Sequence, residues 1–384
     1  RLNLNKNKKS KSPDMFNLKS VLILSIGAMF AFSSCSSDDE VIPTPDDSYD
    51  VPVTYNFDNV SYSGQTQRLA MMSEMSSLMK SAVSPDVTLD VNQLLAMYAN
   101  DSDNAGWTGI YSKQLKNKTF EPVQADFETL LNEMAAISSA TGEYAVGTAG
   151  TVTKADGSKT YLVNEKGVEP VQLIEKGLMG ACFYYQATSV YLGSGKMDVD
   201  NTIVEEGEGT EMEHHWDEGF GYFGAPIDFP TNTDGLFFWA KYSNTCNEYT
   251  DNNKELMDAF LLGRAAISND DLATRDNAIT TVRNVWENVS AAAAIHYLND
   301  AAEGFDDVAV RLHTLSEALA FIYSLKFNEG KTHPNAHIDM HLANLATSSD
   351  ITAFDLTGIT VETILSVRDA LAFDFDLDAV KENL

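Results

Sequence analysis

The chain has 384 residues and a formal net charge of −30, from 26 basic and 56 acidic side chains. That balance excludes nucleic acid as a partner, because binding a polyphosphate needs basic surface to displace its counterions. The length suits one large domain or two moderate ones, and three cysteines are too few for a disulfide scaffold.

In chain order, residues 1–34 read as a targeting segment. Lys19 precedes the uncharged run SVLILSIGAMFAF, from Ser20 to Phe32, and small residues lead to Cys35. A basic start, a short apolar core and small residues before a cleavage point make a secretory signal peptide. The run is too short to span a bilayer, which takes ~20 residues. Phe32-Ser33-Ser34-Cys35 resembles a lipobox, so the expectation is cleavage before Cys35 and lipidation of its thiol. The chain would then reach a membrane through its lipid anchor without crossing it. Met15 opens the signal, and residues 1–14 read as sequence upstream of the true start. Asp38, Asp39 and Glu40 resemble the surface-export signals of some Gram-negative lipoproteins. Residues 35–50, rich in Ser, Asp and Pro, read as a flexible tether. The expected location is the cell envelope, anchored at the outer membrane and facing either the periplasm or the outside. Residues 1–34 hold six of the basic side chains and one acid, Asp14, leaving 20 basic and 55 acidic residues beyond them. Such an acidic shell attracts cations.

The body, 51–384, opens with VPVTYNF, whose alternation of Val51, Val53, Tyr55 and Phe57 predicts a short extended segment. Helical spacing follows. Met71, Met75, Leu78 and Ala82 share one face, as do Phe127, Leu130, Leu131, Met134 and Ile137, with Asp126 placed to cap the second run. TVTKADGSKTYLV breaks the helical pattern: two β-rich runs flank Asp156-Gly157, a hairpin signal. A long apolar helix is then predicted over PVQLIEKGLMGACFYYQATSVYL, with Glu175 in its first half. Residues 193–211 form an acidic, Gly-containing connector, which divides the body into halves of about 51–200 and 211–384. The second half continues through ELMDAFLLGRAAI, a long run ending AAAAIHYLN, RLHTLSEALAFIYSLKFN, and helix-like segments to the C-terminus. Leu173-Ile174-Glu175 and Leu315-Ser316-Glu317 echo one another, each placing a carboxylate early in an apolar helix.

Four groups carry chemistry. On a helix, residues three or four apart share a face, so His215 with Glu218, or His214 with Asp217 and Glu218, presents imidazole beside carboxylate. That donor set suits zinc and iron. The ordinary alternative is a solvent-facing helix start whose acids favour the helix dipole. His313 and Glu317 share a face with the small residues Ala320 and Ser324, which would let another helix approach. A carboxylate so surrounded needs a partner, and Arg264 in FLLGRAAI is a candidate. His296 falls on the stripe Val282, Val285, Val289, Ala292 and reads as a core histidine. His337 and His341 are four apart, with His333 one turn earlier across Pro334, a spacing that can chelate a metal. HExxH, the serine-hydrolase elbow and nucleotide-binding loops are absent. Glycoside-hydrolase carboxylate pairs stay open among so many acids. The aromatics between Phe220 and Tyr242 read as core, with sugar stacking as the alternative. Cys182 and Cys246 are either buried thiols or a disulfide.

YNFDNVSYSGQTQRL, EKGLMGA, HHWDEGFGYFGAPIDFP, MDAFLLGRAAI and LHTLSEALAFIYSLKFN, in this order, resemble an uncharacterised family of envelope lipoproteins related to the imelysins. The imelysin signature GxHxxE overlays Glu213 to Glu218, keeping His215 and Glu218 with Glu213 where glycine would stand. The resemblance implies a mostly α fold, a pair of helical bundles here carrying a small β-hairpin insertion, and an association with iron uptake. The expected function is therefore to bind or relay a metal ion or metal complex, iron or another divalent metal, to an outer-membrane uptake receptor, without catalysis. His215 and Glu218 would be ligands, with Glu175, His313 and Glu317 converging on them and Arg264 a structural counter-charge. The alternatives are a metal-dependent peptidase with Glu218 as base, and a glycan- or protein-binding surface module.

Overall fold

The structure is a computed structural model that describes residues 49–101, 105–140 and 142–384. The signal segment, Cys35 and nearly all of the tether lie outside the described residues. The chain is mostly helical, with twelve α-helices and one two-stranded sheet among the described residues. No helix described is long and apolar enough to cross a membrane.

Residues 51–57 form no strand. Tyr55 is buried and its N–H donates to Ile227 O at 2.7 Å, while Val53 stands exposed. The segment is held by side chains instead of by a ladder. Helices α1 (Ser63–Lys80), α2 (Val91–Ala99) and α3 (Gln124–Ile137) follow. Met71, Met72, Met75 and Met79 of α1 are fully buried, so the methionine stripe is core. Because α3 starts at Gln124, Asp126 lies inside its first turn and does not cap it. The hairpin forms as the sequence predicts: β1 (Gly150–Thr153) pairs antiparallel with β2 (Thr160–Val163). Asp156 Oδ1 accepts from Ser158 N, and Gly157 takes φ +72° in the turn.

Helix α4 (Pro170–Leu178) continues as wide π-helical turns, Met179–Tyr184 and Gln186–Tyr191. Such turns need outside partners for backbone groups released from the usual ladder. Trp239 Nε1 donates to Met179 O at 2.8 Å and Phe120 N to Ala181 O at 2.8 Å. Gly180 lies here because a Cβ would overlap Ser324 Oγ on the opposing helix. After the short α5 (Ser194–Met197), α6 (Glu211–Gly221) starts with a capping box between Thr210 and Glu213. The remainder is α7 (Phe238–Thr250), α8 (Asn252–Ser268), α9 (Leu272–Glu303), α10 (Val308–Ser324), α11 (Asn335–Ala346) and α12 (Val361–Asp374).

The 32 residues of α9 make it the axis of the second half, about 48 Å long at 1.5 Å per residue. It packs against α7, α8, α10 and α12, and α10 packs against α4 across the chain's midpoint. Trp239, Trp286, Phe223, Phe260 and Phe321 interlock edge to face in this core. Most of the 220–242 aromatics, including Phe220, Tyr222, Phe223, Phe229 and Trp239, are buried, while Phe237 stands exposed. His296 is not a core residue. It is half-buried and faces Asp300 at 3.7 Å, because the row it shares with Val289 rotates towards solvent at the end of α9. Cys182 and Cys246 are free, buried thiols, both pushed up to about 12 by burial.

Candidate functional site

The five residues expected to converge separate into two groups. Glu175 lies within α4 while Tyr191, which contacts Glu218, ends its π-helical continuation. Sixteen residues of helix, roughly 20 Å, lie between the groups.

At the far end, α6 carries His215 and Glu218. Glu218 Oε1 accepts from Gln65 Nε2 at 2.8 Å and the Tyr191 hydroxyl at 3.1 Å, and Oε2 faces His215 Nδ1 at 3.4 Å. Burial raises the Glu218 pKa, but the donors from His215 and Gln65 win and hold it down near about 2. A carboxylate so held stays ionised near neutrality. His215 Nε2 meets Lys196 Nζ at 3.2 Å, so an ammonium stands on the side of the ring away from Glu218. His214 is half-buried beside Glu218 at 3.8 Å. Asp217 is not an exposed neighbour: it is fully buried and accepts from Tyr55 OH at 2.8 Å and Arg264 Nε at 3.0 Å. Arg264 also pairs with Glu213 and stands over the Phe57 ring. It is thus a counter-charge to Glu213 and Asp217, not to Glu317, and it staples the opening segment to α6 and α8. Gly263 beside it is required because a Cβ would overlap the Trp216 ring.

At the near end, Glu175, Glu317 and His313 do meet, across α4 and α10, and a residue the sequence reading passed over joins them. Lys176 is buried, and its Nζ reaches Gln172 Oε1 at 2.5 Å, Glu175 Oε1 at 2.7 Å and Glu317 Oε1 at 2.9 Å. Its three N–H groups are spent. Lys80 closes on Glu175 Oε2 at 2.5 Å, and His313 Nδ1 on the buried Glu169 at 2.6 Å. Burial opposes every one of these charges. The partners nonetheless win, lowering Glu175 and Glu317 and raising Lys176 well above the ordinary lysine range. The carboxylates expected to hold a metal already hold an ammonium.

A third group has no internal cation. Asp374, the last residue of α12, accepts at Oδ2 from His337 Nε2 at 2.6 Å and His341 Nε2 at 2.8 Å. His333 Nε2 reaches the Asp374 carbonyl at 3.0 Å and its ring stacks on His337 at 4.6 Å. One donor atom each from His333, His337 and Asp374 lies within 4.8 Å of the others, the one such grouping among the described residues. Three features build it. Helix α11 carries His337 and His341 on one face at i, i+4. The C-terminal end of α12 adds a partial negative charge that favours a cation. Buried Glu287 on α9 accepts from Thr332 N at 3.0 Å and Thr332 Oγ1 at 2.7 Å, fixing the residue before His333. Burial raises Asp374, but hydrogen bonds from His337 and His341 lower it, and burial lowers His341 against the opposing pull of Asp374. Two imidazoles and a carboxylate are the donor set of non-haem Fe(II) and of zinc. Buried His341 would stay on Asp374 as the orienting partner.

Residues 52–375 match the family described as Domain of unknown function (DUF4856), and the chain belongs to that family. No curated protein and no solved structure matches the chain.

Proposed function

We propose that this member of the family is a non-enzymatic metal-binding protein of the cell envelope, serving iron uptake, with His333, His337 and Asp374 as its ligands. The observation that carries the reading is the closeness of those three donors, within 4.8 Å, with no lysine or arginine inserted among them. Two histidines and one carboxylate leave coordination positions open on an octahedral ion, which suits a protein that must release its cargo. The signal-like run before Cys35 and the likeness to imelysin-related envelope lipoproteins support the location and the link to iron. A lipid on Cys35 would hold the body at the outer membrane, where a receptor could receive the ion.

Calorimetric titration of the purified protein with Fe(II) under anaerobic conditions, and separately with Zn(II), tests this. The expected result is one equivalent bound, lost in His337→Ala and kept in His215→Ala. Binding that survives His337→Ala but disappears in His215→Ala would move the site to α6 and overturn the assignment. Absence of binding by either ion would end the metal reading.

A further inference from the structure

We infer that the cleft between α4, α10 and β2 is a binding site for a primary ammonium group carried by a small organic amine. This stands apart from the histidine group and needs no metal. The cleft has a volume of about 740 Å³ and is lined by Glu175, Lys176, Tyr161, Tyr242, Tyr297 and Glu317, among others, a size typical of small-ligand sites.

Charge gives the first argument. Three buried carboxylates, Glu169, Glu175 and Glu317, face two paired lysines, Lys80 and Lys176, and one imidazole, His313, which lies against Glu169 and Glu317. Lys159 and Lys241 also line the cleft but stand exposed at its rim, where water screens them. Hydrogen bonding gives the second and stronger argument. Both Glu175 oxygens are taken, by Lys176 and Lys80, and both Glu169 oxygens, by Gln172 and His313. Glu317 Oε1 is taken by Lys176, but Oε2 is buried and has no hydrogen-bond partner. The Tyr297 hydroxyl stands beside Glu317 and helps to lower its pKa, though its geometry falls short of a full hydrogen bond to Oε2. Glu317 is only 4 % exposed, so its free oxygen asks for a donor from within the cleft.

Ring faces give the third argument. The Tyr242 ring already has Lys176 Nζ at 5.8 Å and Lys241 Nζ at 5.9 Å from its centre, so this wall accommodates cations. Met79, Val83, Met134 and Val171 supply apolar surface for a short alkyl chain. An anion would meet Glu317. A metal ion would have to displace Lys176, which has spent its donors on Gln172, Glu175 and Glu317. An ammonium needs neither concession: one N–H meets Glu317 Oε2 and the rest of its charge faces rings and water.

The probes are n-butylammonium, n-butanol and tetramethylammonium, titrated calorimetrically into the purified protein. Because a charge-assisted hydrogen bond is roughly twice as strong as a neutral one, n-butylammonium is expected to bind at least about tenfold more tightly than n-butanol. Tetramethylammonium, which has charge but no N–H, is expected to bind more weakly than n-butylammonium. Glu317→Gln should lose about tenfold in n-butylammonium affinity, with its urea midpoint recorded as the control for folding. Should that variant fail to fold, the three probes on the unaltered protein still decide. Equal affinity for n-butylammonium and either comparison probe, or no n-butylammonium binding, overturns the inference.

Discussion

The two helix pairs α4–α10 and α11–α12 carry the same kinds of side chain and reach opposite outcomes. Between α4 and α10, Glu175 and Glu317 close around the Lys176 ammonium, and His313 pairs with Glu169 beside them. Between α11 and α12, three histidines close around Asp374 and no lysine or arginine enters. Donor residues alone therefore do not make a metal site; what already sits among them decides. A lysine turns a set of carboxylates into a structural ion network, and its absence leaves donors that only a proton or a metal can join.

The largest effect should come from removing that lysine. Lys176→Met leaves Glu175 and Glu317 buried without their shared cation, and stability in urea is expected to fall by about 3–5 kcal/mol. Metal affinity should not change, since α11–α12 is untouched. The pH dependence should also invert. In the native chain Glu175, Glu218 and Glu317 all have depressed pKa values. Their contribution is complete above the unfolded value of about 4.3 and is lost as pH falls towards about 2. In Lys176→Met, Glu175 keeps Lys80 but buried Glu317 loses its ammonium and rises instead, so the variant should gain stability as pH falls from neutrality to about 5. Urea midpoints at several pH values would show both trends.

Next in size, His341→Gln should weaken metal binding by about ten- to a hundredfold, because it removes the partner that orients Asp374. Titration with Zn(II) measures this, and no change would mean that His341 plays no part in holding the carboxylate. Gly180→Ala tests the close approach that brings α4 onto α10. Its Cβ would overlap Ser324 Oγ, and the expected loss is about 1–3 kcal/mol in urea. The smallest effect belongs to Thr210→Ala, which opens the capping box of α6 and should cost about 1 kcal/mol.

Local signals were readable in the amino-acid sequence and long-range ones were not. Asp156-Gly157 marks the hairpin because its turn chemistry is local. The i, i+4 spacing of His337 and His341 shows on one helix, and Glu175 and Glu317 stand out as acids in apolar runs. Lys176 was missed because a lysine next to a glutamate looks like a solvated pair until α10 covers it. Asp374 was missed because it lies 33 residues beyond His341 and joins it only when α12 packs against α11. Asp217 resembled an exposed acid because helical spacing gives its face but not the guanidinium of Arg264, 47 residues away. The alternation at Val51–Phe57 reads as an extended segment, and its side chains, with buried Tyr55 foremost, hold it in place without a strand partner. These partners are set by tertiary packing, which no window of sequence contains.

The most direct measurement is the position of a bound ion. Crystals of the protein grown with Fe(II) or Zn(II), with anomalous differences recorded at the metal's absorption edge, should show a peak among His333, His337 and Asp374. No peak should lie near Lys176. A peak between Glu175 and Glu317, or beside His215 and Glu218, with none at Asp374, would contradict the account.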